Sequence, residues 1–386
     1  MKAFTMENPT KVFFGEGVIK HLGIEIKNLG NKVLLVYGLG SIKRNGIYED
    51  VLAQFELMDI EFVELGGVQA NPRLETVIEG AKICREQKVD VVLAVGGGSV
   101  IDCAKSIAAA ACYDYDPWRL ITFQDKPIKA LPLGAVLTIS ATGSEMNDGA
   151  VITNTATHEK FGWGSELLYP KFSILDPTYT FTVNRHQTAC GIVDMLSHLF
   201  EFYFSIEEEG YISDRMSEAV MTTVIKYGKT AILEPDHYEA RANLMWASSL
   251  ALNGYVNRAK SFEGFNHIVE HAISAKYDIT HADGLAILIP NWMAYVLDEA
   301  TSEKLGKFAR VVWGVKDEDD MEAAINGIER TRRFFEFLDM PTKLTDLKID
   351  DRYFEEILDH AFNGETIGHF KKLNKSDVRK ILQSAL

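Results

Sequence analysis

Eighteen consecutive apolar residues occur nowhere in this 386-residue chain, so no helix is expected to cross a membrane. Basic charge is also short. The 40 Lys and Arg are outnumbered by 55 Asp and Glu, for a net charge of −15. Nucleic acid and anionic membrane surfaces are therefore disfavoured as partners, since both call for a basic face. The opening residues MKAFTMENPTKVFFGEG contain one early lysine and no apolar stretch, unlike a secretory signal. Cysteine is scarce: Cys84, Cys103, Cys112 and Cys190 form no CxxC pair. The expectation is small buried thiols in a reducing compartment, the cytoplasm by default, rather than disulfides or a thiolate metal site. The protease signature HExxH is missing too, because Ile268 follows His267.

What is present divides the chain. In the first half, apolar runs at 32–37, 61–65, 91–95 and 133–139 alternate with helical segments near 46–58, 73–88 and 100–112. A further run covers 172–176. Continuous β-branched runs between helices predict parallel strands covered on both faces. Residues 3–14 read as two short strands around Asn8-Pro9, an edge hairpin, and Gly15 and Gly17 then open a helix. Past residue 180 the pattern is helical: 185–205, 210–232, 237–256, 262–277, 283–299, 301–313, 319–338, 350–362 and 375–384. Gly210, Pro235, Gly264, Pro290, Gly314 and Pro341 serve as breaks, and Glu207–Glu209 as a solvated turn. The fold expected is an α/β domain over 1–182 and an all-α domain over 183–386.

Three polar stretches fall at strand ends. Gly96, Gly97, Gly98 and Ser99 lie between a strand and a helix, where free N–H groups and the helix dipole favour a phosphate. A ligand-free tight turn is the alternative. Gly38, Gly40 and Ser41 close the first α/β strand without the carboxylate that NAD-selective sites place there. Lys43 and Arg44 follow, which leans towards a 2′-phosphate, unless both simply face water. The stretch 137–152 supplies Thr138, Thr142, Asn147 and Gly149, either dinucleotide contacts or ordinary turn chemistry.

Half of the ten histidines lie in the stretch from Asp194 to His281. Asp194 and His198 are four apart, as are His267 and His271, and His281 comes ten later. Residues four apart share a helix face, so two such pairs predict a metal site between helices. Asp194 sits among Ile192, Val193, Met195 and Leu196; a cation would offset its burial, although a salt bridge or a hydrogen bond to histidine would do so as well. Carboxylate plus imidazoles suits Fe2+, Zn2+, Mn2+ or Co2+. Phe161, Trp163, Phe262, Phe265 and Trp292 suggest apolar substrate walls.

FGEG at 14–17, GGGSVIDCAK at 96–105, ATGSE at 141–145, the Asp194/His198 pair and the His267/His271/His281 spacing together resemble the iron-containing (group III) alcohol dehydrogenase family, over nearly the whole chain. The likeness is strongest to its butanol dehydrogenase branch, expected to use NADPH. The resemblance implies a Rossmann-like cofactor domain, a helical metal domain, and a homodimer acting on small aldehydes and alcohols. It implies Asp194, His198, His267 and His281 as ligands of one divalent metal, Fe2+ before Zn2+. His271 becomes the catalytic histidine beside the nicotinamide. The cofactor is implied to contact Gly38, Asn71, Gly97, Gly98, Ser99, Asp102, Thr138, Thr142, Gly149, Lys160 and Tyr179, with Gly40, Ser41 and Asn147 added from the strand-end reading. Val100 and Ala282-Asp283 depart from the family pattern. A glycerol dehydrogenase-like or dehydroquinate synthase-like enzyme of related architecture is the alternative.

Overall fold

The computed structural model describes residues 3–205 and 210–386; the turn expected at Glu207–Glu209 lies outside them. Eight strands occur among these residues: β1 (Lys11–Phe14), β2 (Lys32–Tyr37), β3 (Glu61–Leu65), β4 (Val91–Gly96), β5 (Leu133–Leu137), β6 (Gly149–Asn154), β7 (Glu159–Gly164) and β8 (Phe172–Leu175). Six of them form a parallel sheet in the order β1-β8-β5-β4-β2-β3. The helices of this part are α1 (Leu22–Lys27), α2 (Ile47–Leu57), α3 (Leu74–Gln87), α4 (Gly98–Ala110) and the short α5 (Trp118–Ile121).

Strand periodicity explains the layering. Val33, Leu35 and Tyr37 of β2 join a core with Leu22, Ile26, Val51 and Phe55 from α1 and α2. Their alternates Leu34 and Val36 join Val77, Ala81, Ile101 and Ile107 from α3 and α4. β2 is thus apolar on both faces, which is why it reads as an unbroken run. Burying each Val or Leu contributes roughly 1.5–3 kcal/mol.

One expectation for this part needs correction, and one element went unforeseen. Residues 3–14 form no hairpin: β1 alone is a strand, and it pairs in parallel with β8 at the sheet edge. Asn8 instead turns inward, its Nδ2 donating to the carbonyl of Met146 at 2.7 Å. A hairpin does exist at β6 and β7, antiparallel and outside the main sheet. Its glycines and polar residues hid it from periodicity.

The helical part contains α6 (Arg185–Tyr203), α7 (Tyr211–Leu233), α8 (Tyr238–Leu252), α9 (Phe265–Tyr277), α10 (His281–Val296), α11 (Ser302–Trp313), α12 (Asp320–Phe337), α13 (Phe354–Ala361) and α14 (Lys375–Ser384). An aromatic cluster anchors it: Phe204 lies 5.8 Å from Trp292, 5.2 Å from Phe308 and 5.7 Å from Phe370, ring centre to ring centre. Pro290 does not break the chain as expected. It sits inside α10, which is buried through most of its length, so packing overrides the missing N–H. The same helix begins at His281, two residues earlier than the sequence suggested.

The chain divides into two compact units: Met6–Val183 with Glu234–Ser249, and chiefly Asn184–Leu233 with Leu250–Leu386. Most of α8 therefore belongs with the sheet, although its sequence reads only as another helix. Met245 is fully buried in the same core as Val92 and Ala94, and the Ser249 hydroxyl donates to the Glu145 carboxylate.

Just before α9, Glu263 is 3% exposed and accepts the N–H groups of His369 and Phe370. Burial pushes its carboxyl up to about 7, against the pull of those two donors. The folded protein holds a proton there that the unfolded chain releases from about 4.5, so this group's contribution to stability falls as pH rises between those values. Between pH 5 and 7.5 the native protein is expected to lose on the order of 2 kcal/mol more than Glu263→Gln. Urea midpoints at the two pH values check this; identical pH slopes would contradict it.

Candidate active site

The metal candidates lie in the helical unit. Asp194 and His198 are one turn apart on α6, His267 is on α9, and His281 is the first residue of α10. Asp194 Oδ1 is 3.7 Å from His198 Nε2 and 3.8 Å from His281 Nε2. The His198 and His267 rings stack with centres 5.0 Å apart, and those of His267 and His281 are separated by 5.3 Å. One donor atom from each of Asp194, His267 and His281 falls within 4.8 Å of the other two. His198 is outside that tight triplet but borders it through Asp194 and His267.

The outer nitrogens of His267 and His281 are anchored. His267 Nδ1 is 3.0 Å from Glu201 Oε1, and His281 Nδ1 bonds Glu270 Oε2. Both carboxylates are fully buried. Glu201 also accepts the N–H groups of Gly264 and His267. Glu270 accepts the Ser274 hydroxyl as well, so both of its oxygens are engaged in orienting rather than ligating. Burial pulls the imidazolium of His198 down to about 4, which leaves the ring neutral and able to donate a lone pair.

These residues fit a divalent cation. Asp194 Oδ1 and His267 Nε2 are buried without any hydrogen-bond partner. Orphaned acceptors of this kind cost stability unless something polar is shared between them. Imidazoles whose far nitrogens are held by carboxylates are the usual outer arrangement of a metal centre. His271 stands alongside, its ring 5.2 Å from that of His281 and 6.1 Å from that of His267.

Glu201 and Glu270 escaped sequence reasoning. The signal was there: each lies three residues after a candidate ligand, His198 and His267, within an apolar helical stretch. A carboxylate on the buried face of a helix needs a partner.

The strand-end residues lie in the other unit. β2 and β4 are neighbours, but the chain leaves β2 towards β3 and leaves β4 towards β5. This reversal opens a crevice at their carboxyl ends, the place where doubly wound sheets bind ligands. Gly38, Gly40 and Ser41 follow β2, while Gly97, Gly98 and Ser99 open α4 from β4. A side chain at Gly97 would strike Ile139, and one at Gly98 would strike Thr142; Thr138 N donates to Gly96 O at 3.0 Å. The glycines therefore seat the 138–142 loop beside the start of α4. A Cβ at Gly38 would meet Val100 at 3.7 Å, which brings the β2 turn to the same helix end.

Several other candidates hold the crevice together. Asp102 accepts the Ser144 hydroxyl at 2.6 Å and the Val151 N–H at 2.9 Å. The fully buried Lys105 donates to Ser144 Oγ and Asn147 Oδ1, each at 2.9 Å, and to Gly149 O at 2.7 Å. Lys105, within GGGSVIDCAK, was passed over in sequence. The Tyr179 hydroxyl donates to Asp50 on α2 at 2.9 Å, which sets it near the start of that helix. Asn71 has left-handed φ of 52°, and the next residue, Pro72, accepts the Thr153 N–H. Thr153 pairs with the buried Lys160 across the hairpin. Of the supposed apolar walls, Trp163, Phe265 and Trp292 are core residues; Phe161 and Phe262 are partly exposed, and Phe262 lies 6.2 Å from His267.

The comparisons with known proteins agree with this architecture. Residues 9–177 match the iron-containing alcohol dehydrogenase family, and residues 188–386 match the C-terminal domain of the Fe-containing alcohol dehydrogenase family. The chain belongs to the iron-containing alcohol dehydrogenase family. It is 50% identical, over the whole of both chains, to NADH-dependent butanol dehydrogenase A of Clostridium acetobutylicum. It is 40% identical to the NADPH-dependent aldehyde reductase YqhD of Escherichia coli, over 91% of this chain and 90% of that one. Among solved structures, NADH-dependent butanol dehydrogenase A of Thermotoga maritima superposes with a TM-score of 0.95 at 42% identity, covering 100% of this chain and 99% of the other. Membership makes the protein an oxidoreductase of the alcohol dehydrogenase class. Among the described residues, no helix is long and apolar enough to cross a membrane.

Proposed function

We propose that this member of the family reduces small aldehydes such as butanal to primary alcohols, and oxidises the alcohols in reverse. Residues 1–182 hold NADP(H), and residues 183–386 hold one divalent cation and the substrate. The cation is Fe2+ first and Zn2+ second, on Asp194, His198, His267 and His281. The observation that carries this reading is the pair of buried, partnerless atoms Asp194 Oδ1 and His267 Nε2, with the far nitrogens of His267 and His281 tied to Glu201 and Glu270. When bound, the cation supplies Lewis acidity and the nicotinamide supplies hydride.

The chain's own residues do the rest. Glu201 and Glu270 fix two imidazoles with Nε2 turned towards Asp194. The Gly97–Ser99 turn offers the start of α4 to a pyrophosphate, and Asp102 and Lys105 brace the loop against it. His271, beside the ligands, hands a proton to the product oxygen during reduction and takes it back during oxidation. A homodimer in the cytoplasm completes the reading.

Preference for NADP(H) over NAD(H) rests on the turn after β2. It contains no carboxylate, and Arg44 lies beside Gly40. Lys43 is not a free cation: its Nζ is 2.9 Å from Glu64 and lies over the Tyr37 and Tyr48 rings. The relatives are divided, since the two butanol dehydrogenases are named as NADH-dependent and the aldehyde reductase as NADPH-dependent. The deciding test is butanal reduction by protein of measured metal content with each cofactor. A kcat/KM ratio for NADPH over NADH above one is expected. A ratio below one overturns the NADP(H) preference, and no turnover with either cofactor overturns the function.

A further inference from the structure

One turn before Asp194, α6 carries a second set of donors. His186 and Cys190 are four residues apart, and Asp283 reaches them from the first turn of α10. Cys190 Sγ is 3.6 Å from His186 Nε2, and His186 Nε2 is 3.6 Å from Asp283 Oδ1. The three donor atoms are all within 4.8 Å of one another. Asp283 Oδ1 is buried and accepts no hydrogen bond, on a residue only 8% exposed. His186 is half exposed, with 51% of its side chain open, so solvent reaches the cluster.

Zinc with bonds of about 2.0–2.3 Å to N, O and S places neighbouring tetrahedral ligands roughly 3.3–3.6 Å apart. The two 3.6 Å separations match that edge. A salt bridge alone does not account for the arrangement, because 3.6 Å exceeds hydrogen-bond length and leaves the carboxylate oxygen unsatisfied. The thiol is also set among negative charges: burial, then Asp283 and Asp194, push its pKa up to about 12. A cation reverses that field.

We infer that His186, Cys190 and Asp283 form a second divalent-metal site, distinct in chemistry from the Asp194/histidine set, that takes a thiophilic cation such as Zn2+ or Co2+. Solvent fills the fourth position on the side of His186. As the sulfur–metal bond forms, the Cys190 thiol releases its proton to buffer, while His186 binds through Nε2 as the neutral ring. Neither oxidant nor reductant takes part. The ion would clip α6 to the amino end of α10. This inference is independent of the proposed reaction, since it concerns donors that the reaction does not use.

Sulfur makes the test specific. With the Asp194/histidine set preloaded with Zn2+, Co2+ added to the intact protein should produce a near-ultraviolet thiolate-to-cobalt charge-transfer band that saturates at one further equivalent. Co2+ exchanging into the histidine set gives no such band, because that set contains no sulfur. The band should vanish in Cys190→Ser, and in His186→Ala the cobalt dissociation constant should rise at least about tenfold. It should persist in His267→Ala, which separates this site from failure of the other. Absence of the band in the native protein overturns the inference, as does a band that survives Cys190→Ser.

Discussion

His267→Ala is expected to strip the principal cation and lower kcat/KM by at least about a thousandfold, whereas His271→Ala keeps the cation and loses roughly a hundredfold or more in kcat. The contrast follows from what each ring touches. His267 Nε2 is partnerless and buried, and its Nδ1 is anchored on Glu201, so the ring is aimed and its removal deletes a donor. Its loss also leaves Glu201 a buried carboxylate short of one of three partners. His271 is adjacent, with its ring 5.2 Å from that of His281, but it is not among the atoms that converge on Asp194. Metal analysis of the two purified variants, alongside butanal kinetics, separates the roles. Loss of metal from His271→Ala equal to that from His267→Ala would make His271 a ligand. Full activity in His267→Ala would remove the metal assignment altogether.

Lys105→Met should destabilise the protein by about 3 kcal/mol at neutral pH, a drop visible in the urea midpoint. The side chain is completely buried and donates three hydrogen bonds. Removing it leaves the Gly149 carbonyl without that donor and takes a cation from beside Asp102. Each buried acceptor left short costs on the order of 1–3 kcal/mol. There is a pH signature too. Burial pushes the ammonium down to about 8, against the upward pull of Asp102, Asp148 and Glu145. Between about 8 and the ordinary value of 10.5 the unfolded chain holds a proton that the folded protein has released. The native protein should therefore gain stability from this group as pH rises through that window, and Lys105→Met should lack the gain. A variant as stable as the native protein at pH 7 would show that the three bonds merely balance the cost of burying the amine.

What the sequence revealed and what it hid divide along physical lines. The five sheet strands other than β1, and the long helices, were legible because burial on two faces or on one stripe leaves a direct imprint on residue order. The β6–β7 hairpin left no such imprint: it alternates weakly and holds glycines at Gly149, Gly162 and Gly164. Pro290 looked like a terminator because local propensity says so, yet the helix around it is held by its buried neighbours. The candidate donors on α6 and α9 could be read from i,i+4 spacing, and His281 on α10 only as a further histidine ten residues on. The i,i+3 spacing marks Glu201 and Glu270 as lying on the same helix face as a candidate ligand, but not which imidazole each one holds: Glu201 reaches His267 and Glu270 reaches His281, each on another helix. Lys43 shows the converse. It looked like a free positive charge in sequence, and the fold pairs it with Glu64, twenty-one residues away.

The anchoring carboxylates also set the charge balance around the histidines. Formally, Asp194, Glu201 and Glu270 bring three negative charges, the imidazoles none, and a divalent ion two positive ones. One negative charge remains. The amino end of α10, where His281 is the first residue, contributes about half a positive charge and cancels part of it. On the proposed metal reading the loaded site would be mildly anionic in a region of low polarity, which favours a neutral carbonyl compound over a phosphorylated or carboxylated one.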